Sequence, residues 1–219
     1  MYTITIDGPS ASGKSTVAKL VAKKLNFYHL NSGNIYRAIT LFLLEKGLSP
    51  NEQITEDILS QINVEIKFEN NLQVDYLNGK NVTTLLHSHE INDNVSRFGK
   101  QELIIKKASE LTLLPTLNYN IVIDGRNVGS FVLPNAFLKI YLDCDAKVRA
   151  ERRFKEMLEK GEKVDFDEIY QQTLDRDELD RTRPIAPMIV PENAVIINSS
   201  NKTPEEVAIE IVDIFNSKI

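Results

Sequence analysis

A chain of 219 residues, 42% of them hydrophobic and 26% charged, has the size and composition of a folded domain, which excludes general disorder. Its formal net charge of −5 argues against a nucleic-acid binder, and the lack of a run of about 18 apolar residues argues against a membrane span. A single cysteine, Cys144, and a start without a leader pattern lead us to expect a cytoplasmic protein.

Along the chain, apolar runs of strand length alternate with helical periodicity. Residues 3–6 form the first strand-like run, and apolar residues at helical spacing follow from about Lys14. Residues 121–123, 138–142 and 195–197 are apolar throughout, as is typical of strands buried on both faces. This order predicts a parallel sheet with helices on both sides. For the chain as a whole we expect a three-layer α/β core with a five-stranded parallel sheet.

Two stretches break this alternation. In residues 64–82 the apolar residues recur at every second position around an Asn-Asn and an Asn-Gly pair, which predicts an antiparallel hairpin insert. Residues 146–183 are charged, mostly helical and interrupted near Gly161, and seven of the nine arginines lie between Arg126 and Arg183. Because guanidinium groups suit phosphate, this cluster indicates a small anionic ligand, although a helix face of surface ion pairs would give the same pattern.

Residues 8–15 fit the pattern G-x-x-x-x-G-K-[ST] between a predicted strand and a predicted helix. In such a loop the backbone N–H groups and the helix N-terminus hold phosphates. Lys14 would reach the β- and γ-phosphates, and the Ser15 hydroxyl would ligate Mg²⁺, so ATP with Mg²⁺ is expected. The predicted ATP-binding residues of the loop are Gly8, Pro9, Ser10, Ala11, Ser12, Gly13, Lys14, Ser15 and Thr16.

The loop alone leaves the class of nucleotide-binding protein open. A GTPase would carry Asn-Lys-x-Asp, and the nearest match, at residues 201–204, lacks the aspartate. No Gly-rich signature of a transporter ATPase is present. Length and the two irregular stretches therefore favour a small-molecule kinase.

The chain closely resembles bacterial cytidylate kinases, of the nucleoside monophosphate kinase group, in an ordered series of motifs. The resemblance implies phosphoryl transfer from MgATP to a pyrimidine nucleoside monophosphate, with CMP or dCMP expected as acceptor and UMP left open. The matching segments are residues 7–16 (DGPSASGKST), 30–37 (LNSGNIYR), 124–129 (DGRNVG), 139–142, 176–183 (RDELDRTR) and 196–200.

The same resemblance implies an acceptor site. Ser32 corresponds to a serine that touches the base, Asn127 to a base-reading position, and Ser96 and Asp180 to residues near the sugar.

Four arginines complete the expected acceptor site. Arg37 and Arg126 match arginines that hold the acceptor phosphate, and Arg176 and Arg183 match others that line the pocket. Arg176 and Arg183 also lie at a spacing that puts both on one helix face, although an ion-paired solvent face would share that spacing. Lys14, Arg126, Arg176 and Arg183 are the expected catalytic residues.

Residues 146–183 resemble the family's lid over ATP, with Arg149, Arg152 and Arg153 as candidates for the donor side. The hairpin resembles its insert beside the monophosphate. The division expected is one kinase domain, residues 1–219, with a core at about 1–40, 85–145 and 184–219, an insert at about 41–84 extending toward 100, and a lid at about 146–183.

Asp124 follows a buried strand, where it would either bind Mg²⁺ through water or brace the loop; the sequence leaves both open. The chain's histidines, His29, His87 and His89, form no metal-ligand pattern and receive no role.

Three positions depart from the family pattern. Asn31 and Asn127 stand where aspartate is usual, and Ile105 stands near an expected arginine, with Lys106 and Lys107 beside it. In the family the second aspartate and the arginine help to read cytosine. Because an amide both donates and accepts, we expect weaker discrimination between CMP and UMP.

Two other classes stay open at this point: a P-loop kinase of a non-nucleotide metabolite such as shikimate, and a nucleotide-binding sensor without turnover. The partners expected are ATP and a nucleoside monophosphate, with neither nucleic acid nor membrane, and the chain is expected to be a monomer.

Overall fold

The computed structural model describes residues 1–159 and 161–219, and it shows a mixed α/β fold with helices around a central, mostly parallel sheet. The described strands are β1 Thr3–Asp7, β2 Tyr28–Asn31, β3 Val64–Glu69, β4 Leu72–Leu77, β5 Lys80–Asn81, β6 Ile121–Gly125, β7 Leu138–Asp143 and β8 Val195–Asn198. The described α-helices are α1 Lys14–Leu25, α2 Ser32–Glu45, α3 Glu56–Ser60, α4 His89–Phe98, α5 Glu102–Leu113, α6 Ala146–Glu159, α7 Phe166–Thr182 and α8 Pro204–Asn216.

The centre of the sheet is parallel and runs in the order β2-β6-β1-β7-β8, so the predicted five-stranded parallel core is confirmed over the described residues. Four of these strands coincide with the apolar runs found in the sequence. The remaining strand, β2, has the sequence Tyr-His-Leu-Asn and was not predicted from the sequence. It has only four residues, and two of them are polar, so it lacks the continuous apolar run by which the other strands were found.

The predicted hairpin is also confirmed, and it extends the core sheet. Strands β3 and β4 pair antiparallel across a turn in which Asn70 and Asn71 have φ values of 51° and 63°. Asparagine tolerates this left-handed conformation better than most residues, which explains the Asn-Asn pair. β4 then lies parallel to β2, with His29 opposite Leu72.

Side-chain hydrogen bonds continue this junction beyond the paired residues. The Asn31 backbone N–H donates to Gln73 Oε1 at 2.6 Å, and Asn34 Nδ2 donates to Asp75 Oδ2 at 2.9 Å. Strand β4 is therefore fastened both to the end of β2 and to the first turn of α2.

Two apolar layers on opposite faces of the sheet account for the continuous apolar strands. In β6, Ile121 and Ile123 pack in the layer formed with α2 and α5, whereas Val122 packs in the layer formed with α1 and α8. Burying each such side chain contributes about 1.5–3 kcal/mol. The fold is therefore three-layered, as predicted.

Helices α6 and α7 follow β7 and are joined by a turn in which Gly161 has a φ of 78°. Asp165 caps α7 by accepting from the backbone N–H of Glu168. Among the helices of the described residues, none has both the length and the apolar character needed to cross a membrane.

Candidate active site

A cleft of about 1030 Å³ opens at the carboxyl ends of the parallel strands, where ligands of such sheets bind. It is bordered by the loop after β1 and by parts of α2, α4, α6 and α7. The sequence-predicted site residues that line it are Ser10, Ala11, Gly13, Lys14, Ser15, Thr16, Ser32, Arg37, Ser96, Asp124, Arg126, Asn127, Arg153, Arg176, Asp180 and Arg183.

The loop after β1 has the backbone that a phosphate cradle needs. Gly8 and Gly13 have φ values of 148° and 89°, in the region that favours glycine. A side chain at Gly8 would also collide with the backbone carbonyl of Leu142. Gly8, Pro9 and Ser12 are buried within the loop and do not belong to the lining described for the cleft.

Lys14 begins α1 and is nearly fully buried, with 5% of its surface exposed. Its Nζ donates to the Pro9 carbonyl oxygen at 2.5 Å and lies 3.3 Å from Ser12 Oγ. Burial, and then the positive charge of Arg126, lower the pKa of Lys14 well below its usual value. A bound polyphosphate would supply the anionic partner that favours the charged ammonium.

Ser15 belongs to a hydrogen-bonded chain with strands β6 and β2. Its Oγ donates to Asp124 Oδ2 at 2.5 Å and accepts from Asn31 Nδ2 at 2.9 Å. The other oxygen of Asp124 lies 2.7 Å from His29 Nε2. Burial alone would raise the pKa of Asp124, but the hydrogen bond and charge of His29, followed by Ser15 and Lys14, lower it.

These groups fit Mg²⁺ held jointly with a nucleotide. The Ser15 hydroxyl and the Asp124 carboxylate are hard oxygen donors, the kind that Mg²⁺ prefers. Over the described residues, no group of three or more His, Cys, Asp or Glu side chains could hold a metal ion. Mg²⁺ bound together with a nucleotide uses one or two protein oxygens, keeps several waters and takes further ligands from the phosphates.

Asp7, at the end of β1, shapes the loop after β6. Its two carboxylate oxygens accept the backbone N–H groups of Val128 at 2.8 Å and Gly129 at 2.6 Å. Burial raises the pKa of Asp7 to about 6, against the effect of these two hydrogen bonds. These two hydrogen bonds fix the turn that carries Arg126 and Asn127. The sequence feature that corresponds to the hydrogen bonds is an acidic residue, Asp7, at the end of an apolar strand.

The predicted acceptor residues line the same cleft and contact one another. Arg126 Nε donates to Asp180 Oδ2 at 3.1 Å, and Ser32 Oγ donates to the Asp124 carbonyl oxygen at 2.9 Å. Burial, and then Arg126, lower the pKa of both Arg37 and Arg176 to about 10. Several guanidinium groups thus lie near one another in the cleft, which suits an anionic ligand.

Three buried donors of these residues have no partner among the described residues: Arg176 Nε, Arg183 Nη2 and Asn127 Nδ2. All three residues line the cleft. Leaving a buried donor unpaired costs about 1–3 kcal/mol, so native structures rarely keep such groups without a reason. A ligand with phosphate and carbonyl oxygens would satisfy them.

The predicted donor-side arginines differ in their surroundings. Arg149 is 2% exposed and donates to Asp177, to the Cys144 carbonyl and to the Ser10 carbonyl. Arg152 Nη2 donates to the Ser199 carbonyl at 2.8 Å. Neither belongs to the described lining of the cleft, whereas Arg153 does.

An arginine was expected near Ile105 on α5, but no residue of α5 is among the described residues that line the cleft. Ile105 is fully buried, and Lys106 is exposed and pairs with Glu102 at 2.7 Å. The expected arginine therefore has no counterpart from α5 among the described residues that line the cleft.

The parallel sheet, the loop and the cleft at the strand ends define a P-loop kinase. Shikimate kinase from Acinetobacter baumannii in complex with shikimate shares the fold, with a TM-score of 0.51 and 15% identity over 99% of this chain and 94% of that one. Shikimate kinase from Bacteroides thetaiotaomicron gives a TM-score of 0.51 at 13% identity, over 98% of both chains.

The chain belongs to the cytidylate kinase family, whose model matches residues 4–217. It is 39% identical to the cytidylate kinase of Thermotoga sp. (strain RQ2), over 100% of this chain and 98% of that one. It is 37% identical to the cytidylate kinase of Carboxydothermus hydrogenoformans, over 98% and 97%. The predicted class, an ATP-dependent nucleoside monophosphate kinase, is confirmed. The metabolite kinase and the sensor gain no support from these relatives.

Proposed function

We propose that this enzyme transfers the γ-phosphoryl group of MgATP to CMP or dCMP, giving ADP and the pyrimidine nucleoside diphosphate. The observation that carries the proposal is the meeting, in one cleft, of the phosphate-binding loop with the unpartnered donors of Arg176, Arg183 and Asn127. The curated relatives are cytidylate kinases along their whole length, which supports a cytidine nucleotide as acceptor.

In the proposed complex, residues 8–16 hold the polyphosphate of ATP, and Arg37, Arg126, Arg176 and Arg183 hold the acceptor phosphate. An oxygen of the acceptor phosphate attacks the γ-phosphorus, and the bond from that phosphorus to the β–γ bridging oxygen breaks. At neutral pH this phosphate is largely a dianion, so the attacking oxygen needs no base. The protein contributes alignment and charge neutralisation.

Lys14 and the acceptor-side arginines are proposed to stabilise the charge that spreads over the transferring group. Mg²⁺, held at Ser15 and near Asp124, would neutralise phosphate oxygens of the nucleotide. Ser32, Ser96 and Asp180 are proposed to contact base and sugar. The buried position of Lys14 agrees with a site where electrostatic interactions act strongly because water is excluded.

The remaining expectations stay predictions. They are the division into core, insert and lid, closure of residues 146–183 over ATP, the donor-side roles of Arg149, Arg152 and Arg153, a monomeric state and a cytoplasmic location. Arg153 is the donor-side arginine that the geometry favours for ligand contact, because it lines the cleft.

An acceptor panel tests the proposal. ADP release with MgATP is measured against CMP, dCMP, UMP, AMP, GMP and shikimate. We expect the highest kcat/KM with CMP or dCMP. Turnover with shikimate alone, or tight nucleotide binding without any turnover, would contradict it.

Acceptor selectivity is tested at Asn127, which is 4% exposed and has an unpartnered Nδ2. Its amide would accept from the cytosine amino group or donate to the uracil carbonyl, whereas a carboxylate accepts only. We therefore expect Asn127→Asp to raise the ratio of kcat/KM for CMP over UMP by about tenfold or more. An unchanged CMP/UMP ratio in Asn127→Asp would show that Asn127 does not set the selectivity between CMP and UMP.

A further inference from the structure

Sequence pattern assigns no role to His29, yet the structure places it in the interior of the protein beside a site residue. His29 is 2% exposed and Asp124 3% exposed, and the His29 Nε2 atom lies 2.7 Å from Asp124 Oδ1. An ionised carboxylate accepts hydrogen bonds and cannot donate them. His29 therefore carries its hydrogen on Nε2 and donates it to Asp124.

Strand pairing explains how His29 reaches this carboxylate. Strands β2 and β6 are parallel, with His29 opposite Val122 and Asn31 opposite Asp124. Side chains two residues apart on a strand share a face, so His29 and Asn31 lie on the same side as Asp124. The two polar residues of β2 thus approach Asp124 and Ser15 from the same side of the sheet.

The contacts then continue to the loop. Asp124 Oδ2 accepts from Ser15 Oγ at 2.5 Å, and that same oxygen of Ser15 accepts from Asn31 Nδ2 at 2.9 Å. The Ser15 hydroxyl hydrogen therefore points at Asp124, and a lone pair remains for a ligand in the cleft. Ser15, Asn31 and Asp124 line the cleft, whereas His29 is not part of its described lining. Any influence of His29 on a ligand passes through Asp124.

Both oxygens of Asp124 are occupied, one by His29 and one by Ser15, so the carboxylate has a defined orientation. Without the His29 donor, one oxygen would be buried and unpaired, and the carboxylate would gain by rotating toward another donor. Such a rotation would redirect the Ser15 hydroxyl. The hydrogen bond from His29 therefore helps to set the geometry of the Asp124 and Ser15 oxygens, which suit Mg²⁺.

We propose that His29 is a positioning residue for the Mg²⁺ side of the nucleotide site, acting by fixing Asp124 and, through it, the Ser15 hydroxyl. This inference rests on the proposed use of MgATP. It assigns His29 no contact with substrate or metal.

The test measures the gain in ADP affinity that Mg²⁺ provides, by isothermal titration calorimetry with Mg²⁺ and with EDTA. For His29→Leu we expect an ADP affinity in EDTA within about twofold of wild type, because the loop backbone is untouched. We expect the Mg²⁺-dependent gain to fall at least fivefold. A purely structural role would lower the unfolding temperature and leave that gain unchanged.

Amide variants separate the hydrogen bond from the ring. His29→Gln places a donor near the position of Nε2 and should keep the gain, whereas His29→Asn is about one bond length too short, roughly 1.5 Å, and should lose it. Leu30→Val is the matched control, because Leu30 is the next residue of β2 and packs in the layer with α2 and α5. The Leu30→Val substitution should lower the free energy of unfolding and leave the Mg²⁺-dependent gain in ADP affinity unchanged.

The outcomes are distinguishable. A wild-type gain in His29→Leu, or equal gains in the Gln and Asn variants, would overturn the inference alone. If His29→Leu fails to fold, the Gln and Asn pair decides, and failure of all three to fold would also overturn it, since His29 would then serve the fold. Absence of any gain in wild type would overturn the proposed role of Mg²⁺ and this inference with it.

Discussion

Arg149 on helix α6 and the proposed acceptor-side arginines, Arg176 and Arg183, come from one cluster in the sequence but have different surroundings. Arg149 is buried and donates to Asp177 and to two backbone carbonyls. Arg176 and Arg183 each keep a buried nitrogen without a partner among the described residues. A buried guanidinium whose donors all meet protein groups braces the fold, whereas one with unpaired donors is arranged for a ligand.

This difference has an energetic side. Arg149 with Asp177 is a buried pair whose members satisfy each other, and removing one member leaves a charge that water cannot reach. The unpaired donors of Arg176 and Arg183 cost stability in the free protein, and a ligand with oxygen acceptors recovers that cost. The unpaired donors therefore give up stability that a ligand would recover, whereas the pair of Arg149 and Asp177 contributes to the fold alone.

Arg149→Leu should have the largest effect on stability. It leaves the Asp177 carboxylate buried without its partner, and we expect a loss of about 3–5 kcal/mol in the free energy of unfolding, measured in urea. Arg153→Leu is the control, because Arg153 borders the cleft, and it should lose less than about 1 kcal/mol. If Arg149→Leu has the stability of wild type, the pair of Arg149 and Asp177 does not stabilise the fold, and the contrast with Arg176 and Arg183 is wrong.

Lys14→Ala tests a cation whose protein partners, Pro9 and Ser12, lie in the loop itself. Loss of this group should lower kcat at least a hundredfold, about 2.7 kcal/mol, while the fold survives. The checks are steady-state rates and an unfolding midpoint no lower than wild type. A near-normal rate would contradict the proposed mechanism.

Arg176→Leu should behave in the opposite way to Arg149→Leu. Removal of a charge-assisted contact to the acceptor phosphate is worth about 1.5–3 kcal/mol, or roughly tenfold to a hundredfold in kcat/KM for the acceptor. Stability should be unchanged or higher, because a partly unpaired buried charge is lost. A large fall in stability with normal kinetics would assign Arg176 to the fold.

Lys106→Ala should have the smallest effect. Lys106 pairs with Glu102 on the exposed side of α5, and such surface pairs contribute about 0–1 kcal/mol. We expect kcat/KM for CMP within about twofold of wild type and a stability change below about 0.5 kcal/mol. A tenfold loss of activity would show that this lysine takes the place of the expected arginine.

Local pattern predicted the elements that depend on nearby residues. The phosphate-binding loop, the apolar strands and the hairpin turn all rest on a few adjacent side chains, and the structure agrees with each. Strand β2 was missed because two of its four residues, His29 and Asn31, are polar, so it lacks the continuous apolar run that marks the other strands of the parallel core.

The partners of buried charged groups could not be predicted, because they lie far apart in the chain. Family resemblance places Arg149 on the donor side, but its neighbour Asp177 lies on α7, and nothing in the local sequence links the two. The pairing of β4 with β2 is equally nonlocal. Sequence shows which side chains are available, and packing decides which of them meet.

The fastening of β4 to the start of α2 has a consequence for motion. Gln73 accepts from the Asn31 backbone, Asp75 accepts from Asn34, and Ser32 lies between those two donors in the chain. A rotation of the hairpin therefore pulls on the turn that carries Ser32 unless both hydrogen bonds break. Displacement of the hairpin and the shape of the cleft beside Ser32 are in this way mechanically linked.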